Sequence, residues 1–104
     1  MTDASSTPTT SQQSLRRQLD ILAEMVEALD TQTDAGRRHT MGKVIAVLTP
    51  QVRLQGTAFT DRGQRGIERT VAWLAAEARR PLPSAPVFRR GAELVISLLA
   101  STAS

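Results

Sequence analysis

Cysteine is missing from this chain of 104 residues, and lysine and histidine occur once each, as Lys43 and His39. Without thiols there are no disulfides, no thiolate metal sites and no cysteine nucleophiles. A single histidine cannot build a metal cluster with partners the sequence does not supply. As a general base it would need a positioned nucleophile or acid, and nothing nominates one. No uninterrupted apolar run approaches the roughly 18 residues of a membrane span. The first residues show no basic segment leading into an apolar run, so export by that route is not expected. The expectation is a soluble cytoplasmic protein with no cofactor, no metal and no membrane partner. No internal repeat of useful length is present.

Acidic residues are scarce in the second part of the chain. Residues 1–34 hold two arginines against six acids, whereas residues 35–104 hold eleven basic groups against four acids. Such asymmetry points to an acidic partner for the second part, or to an acidic helix folding back onto it. Twelve of the thirteen basic residues are arginine, which fits a GC-rich coding bias as well as a phosphate-reading surface.

The pattern that is present is helical. In Asp61–Arg80, Ile67, Val71, Leu74 and Ala78 recur at the spacing that lines one helix face. The opposite face gathers Arg62, Arg65, Arg69 and Arg80 around Trp73, the only tryptophan. Earlier, Leu15, Leu19, Leu22, Val26 and Leu29 step by four, three, four and three, with Ile21 and Met25 widening the stripe. This stripe suits helix packing in a bundle or dimer. Its acids, Asp20, Glu24 and Glu27, read as a solvated face, although acids near a helix C-terminus also hint at a positive neighbour.

Boundaries follow from local chemistry. Residues 1–10, rich in Thr, Ser and Pro, read as a disordered tail. Thr10 and Gln13 form a capping box for a helix over 11–30. A polar connector, Asp30–Gly36, precedes a second helix over 38–49, ended by Pro50. Val44, Ile45 and Val47 are β-branched, so a short hairpin within 43–59 is the alternative, with Phe59 anchoring the loop in either case. Gly63 and Gly66 each weaken a helix start by about 1 kcal/mol, placing the third helix over 64–80. Three prolines in PLPSAP stop it. A final helix over 86–100 carries the stripe Phe88, Ala92, Val95 and Leu99. Leu94, Ile96 and Leu98 make it apolar almost all round, so it demands burial in the monomer, in a homodimer or against another protein.

Chemical motifs are few. Residues 36–43, GRRHTMGK, miss the phosphate-loop spacing by one residue and have Val44 where Ser or Thr should follow the lysine. No serine or threonine sits in a nucleophile motif. Residues 65–83, RGIERTVAWLAAEARRPLP, resemble the opening helix of winged helix-turn-helix repressors of the isocitrate-lyase-regulator type. That family would imply two further helices, the second entering the major groove. Here PLPSAP leads into one long apolar helix with no polar recognition helix and no wing, so the family is not assigned.

The sequence therefore predicts an all-α bundle of about four helices, a single domain over 11–104. Its expected role is a non-catalytic binding or regulatory component that self-associates or docks on a protein partner. Leu94, Ile96, Leu98 and Leu99 are the expected protein interface. The alternative is a small basic nucleic-acid-binding accessory protein, contacting nucleic acid or another acidic partner through Arg62, Arg65, Arg69, Trp73, Arg79 and Arg80. An enzyme would require a strongly polar pocket containing His39.

Overall fold

The computed structural model describes residues 10–55 and 58–102, with side chains described from Gln13 onward. The expected tail lies outside this range except for Thr10, which opens the first helix, and the Thr10 side of the capping box is likewise outside the described side chains. Four helices form the fold: α1 Thr10–Ala28, extended by a 3-10 turn at Leu29–Thr31, α2 Asp34–Leu54, α3 Asp61–Ala78 and α4 Ala85–Thr102. Among the described residues there is no strand. The hairpin alternative for 43–59 is thereby set aside.

Each helix is cut from the chain by residues adapted to that task. Thr33 precedes α2, and its hydroxyl accepts the Gly36 amide at 3.2 Å. Thr60 does the same for the Gly63 amide at 3.1 Å, and Ser84 accepts from the Val87 amide at 3.3 Å. Such caps satisfy amides that a helix start leaves without partners, worth about 1 kcal/mol each. They explain two departures from expectation. Helix α2 begins at Asp34 rather than 38, and α3 begins at Asp61 rather than 64, because a good cap offsets the glycines in the first turns.

The larger correction concerns Pro50, which lies inside α2 instead of ending it. Met41, Val44, Leu48 and Val52 form one buried stripe that continues past the proline without a break in phase. An interior proline costs about 3 kcal/mol, while burying a Leu or Val contributes about 1.5–3 kcal/mol. Leu48 and Val52 together therefore outweigh it. Pro50 and Ala46, whose carbonyl loses its donor, both lie on the exposed side of the helix. Beyond the proline, the Gln51 side-chain amide donates to the Gln18 side chain on α1.

The core is the union of the four stripes. Leu15, Leu19, Leu22, Val26 and Leu29 meet the α2 stripe, Ile67, Val71 and Leu74 of α3, and Phe88, Ala92, Val95 and Leu99 of α4. Phe59 packs against this core from the α2–α3 connection, as expected. Ile21 does not widen the α1 stripe: it is exposed, whereas Met25 is half-buried against the core. Successive helices run back along one another, and α1 closes the ring against α4. Helices α2 and α4 also meet across the centre, which leaves α1 and α3 at opposite corners. Acidic α1 and arginine-bearing α3 are thus the two helices kept furthest from neutralising each other.

Candidate interaction surface

Helix α4 carries two apolar stripes with the same spacing, one residue out of step. Phe88, Ala92, Val95 and Leu99 point inward and are buried. Val87, Gly91, Leu94 and Leu98, again at steps of four, three and four, lie on the adjoining outer face. Val87, Leu94 and Leu98 remain 40%, 54% and 37% exposed, far above the near-zero values of the inner stripe. A 4-3-4 spacing is the seam of a helix pair. The inner seam is filled by the core; along the outer one, α3 meets Gly91 through Trp73 and Leu74, while Val87, Leu94 and Leu98 stay exposed.

The four residues expected at a protein interface are separated by this geometry. Leu94 and Leu98 lie on the outer stripe. Ile96 is half-buried on the α1 side, near Ala23 and Glu27. Leu99 falls on the inner stripe and is fully buried, so it belongs to the core and not to the outer surface. Val87 and Gly91 were not singled out from sequence. The step of 4-3-4 running through Gly91 was the available signal, hidden because glycine does not register as apolar.

At Gly91, α3 and α4 approach closely. A Cβ there would lie 2.9 Å from Leu74 Cδ2 and 2.9 Å from Trp73 Cζ3. The indole of Trp73 therefore rests its six-membered ring edge on the α4 backbone while remaining 45% exposed. Trp73, Val87, Gly91 and Leu94 line an open groove of about 660 Å³, with Arg90 and Glu93 among its polar border. Trp73 and Leu94, which the sequence placed in two different candidate sites, share this one groove.

Eight of the twelve arginines fall into two groups. Those at helix ends hold the fold together. Arg37 donates to the Leu29 carbonyl at 2.9 Å and the Gln32 carbonyl at 3.1 Å, and pairs with Asp34 at 3.3 Å. Arg38 reaches the Pro81 carbonyl at 2.8 Å, and Arg89 pairs with Asp30 at 2.7 Å and Glu93 at 3.0 Å. Asp20, Glu24 and Glu27, the acids read as a solvated face, are solvent-exposed, and the Asp30–Arg89 bridge involves the connector instead. Arg80 pairs with Glu77 at 3.2 Å. The second group comprises Arg62, Arg65 and Arg69 on α3, with Arg79 just beyond its end. All four are exposed, and none forms an ion pair among the described residues.

Glu77 is one of the acids of α3. It is buried, with Oε2 accepting the Ser84 amide at 2.9 Å and Oε1 paired with Arg80. The hydrogen bond from Ser84 is the main cause that lowers its pKa, burial opposes it, and Arg80 lowers it further. This carboxylate folds the proline linker over the end of α3 and fixes where α4 begins. His39 is exposed beside Asp34 and Arg38. Among the described residues no three His, Asp or Glu converge as metal ligands, and no helix is long and apolar enough to cross a membrane. No protein-family model, curated protein or solved structure matches the chain.

Proposed function

We propose that the chain is a non-catalytic binding or regulatory component that self-associates through the outer stripe of α4. The observation that carries this reading is the exposure of Val87, Leu94 and Leu98 along one stripe beside a fully used inner seam. A second copy suits the outer stripe because the stripe is self-complementary when reversed. In an antiparallel pairing of two α4 helices, Val87 falls opposite Leu98 of the second copy, and Gly91 opposite its Leu94. Leu94 of one copy then enters the groove of the other over Gly91, between Trp73 and Val87. The border charges suit the same register, since Arg90 of each copy comes within two positions of Glu93 of the other. A two-fold contact of this kind uses one patch twice, as isologous dimers do.

Sedimentation equilibrium across a wide concentration range tests the proposal. The wild type is expected to be a dimer, and Leu94→Asp and Leu98→Asp are expected to be monomers with unchanged helical circular dichroism. Both residues are exposed in the monomer, so an acid there should not unfold it. Identical masses for wild type and both folded variants would sink the reading. The absence of cysteine allows a check of register: Val87→Cys with Leu98→Cys should cross-link between copies, while Val87→Cys alone should not.

A further inference from the structure

We infer that the arginine ridge of α3 binds the phosphate backbone of a single-stranded nucleic acid, with a base against the exposed part of Trp73. This goes beyond self-association and does not depend on it. Arg62, Arg65 and Arg69 follow one another at steps of three and four, which places them about 4.5 and 6 Å apart along the helix axis. The fold has no use for them. Arg37, Arg38, Arg80 and Arg89 each hold a connection or a helix end, while the ridge residues are exposed and lack a carboxylate partner among the described residues. Like charges at this spacing on one helix repel, and an anion meeting the row relieves that repulsion.

Two features of the molecule keep the ridge available. The exposed acids of α1, Asp20, Glu24 and Glu27, sit on the helix diagonal to α3 and do not neutralise it. On α3 itself, Asp61 and Glu68 are exposed and form no ion pair with the ridge. The identity of the anion follows from residue type. Guanidinium groups offer a planar fork that matches phosphate oxygens. Trp73 stands one further helical step past Arg69 and presents an aromatic surface that a base can stack on and an acidic peptide cannot exploit. An accessible base implies a single strand, since the bases of a duplex are already stacked.

The test is binding of a short oligodeoxythymidylate, followed by Trp73 fluorescence over a salt series. The wild type should show quenching, with an affinity that falls steeply as salt rises. Each lost phosphate contact should reduce the slope of log affinity against log salt by about 0.7. Arg65→Ala and Arg69→Ala should each do so, Arg65→Lys should keep the slope, and Arg17→Ala on α1 should leave it unchanged. Leu98→Asp, outside the groove that Trp73 lines, should bind as the wild type does, which separates failure of this site from failure of the dimer. Equal slopes for wild type and the two ridge alanine variants would overturn the inference. So would equal binding of polyglutamate, which would make the ridge an acidic-peptide site, or equally tight binding of a duplex with no Trp73 response.

Discussion

Replacing glycine by alanine at three helical positions tests the packing of α3 on α4 against a built-in control. Gly42, Gly66 and Gly91 all lie inside helices, and no glycine of the described chain has a positive φ. An interior Gly→Ala change should therefore gain about 0.5–1 kcal/mol at each, from lower unfolded-state entropy and better helix propensity. At Gly42 and Gly66 nothing lies within 4 Å of the added methyl, so the gain should be realised in full. At Gly91 the methyl would sit 2.9 Å from both Leu74 Cδ2 and Trp73 Cζ3, well inside the roughly 3.5–4.0 Å of a relaxed carbon contact. Leu74 is fully buried and cannot retreat, whereas Trp73, being half-exposed, can swing outward and lose its seat on α4. Overpacking of this kind costs about 1–3 kcal/mol. Gly91→Ala should thus range from nearly neutral to about 2 kcal/mol destabilising, trailing Gly66→Ala by about 1–3 kcal/mol. Urea unfolding followed by circular dichroism and by Trp73 fluorescence would measure both stability and the ring's environment. If Gly91→Ala stabilised as much as Gly66→Ala, with unshifted Trp73 emission, the close approach argued for α3 and α4 would be refuted.

Three other predictions concern features that the fold tolerates or depends on. Pro50→Ala restores a helical hydrogen bond at an exposed site and should stabilise the protein by about 1–3 kcal/mol, read as a higher urea midpoint; a lower midpoint would contradict the placement of Pro50 inside α2. Glu77→Ala removes the acceptor of the Ser84 amide and should cost about 1–3 kcal/mol in the same assay. The folded-state pKa of Glu77 is lowered from its ordinary value near 4.5, so its ionised form stabilises the native state. That stability is fully present above the unfolded-state value and is lost as pH falls through the lower folded-state value. Glu77→Gln should therefore show a shallower fall in melting temperature below about pH 4.5 than the wild type. Parallel curves would mean that the carboxylate charge is not used.

Helix periodicity lies within a few consecutive turns, and that is why so much of the architecture was legible in the residues. The stripes of α1, α3 and α4 predicted the buried residues of those helices almost one for one, and PLPSAP marked the final break. Proline misled at residue 50, since the local cost of its ring is visible in sequence while the burial of Leu48 and Val52 that offsets it is a property of the packed bundle. Ile21 misled similarly, because a wide apolar stripe does not say how much of its width the neighbouring helices will cover.

By itself the sequence determined α1, α3 and α4 with the inward face of each, a second helix still open to a hairpin reading, and the excess of arginine in the second part. Tertiary structure decided which arginines are consumed by the fold and which are left over. It also decided that Glu77 turns inward to hold Ser84 and that Trp73 meets α4 at Gly91. The physical reason is range. Helical phase and capping act between residues three or four positions apart, and can be read along the chain. Pairs such as Arg89 with Asp30, or Trp73 with Gly91, exist only once the connections have set one helix beside another.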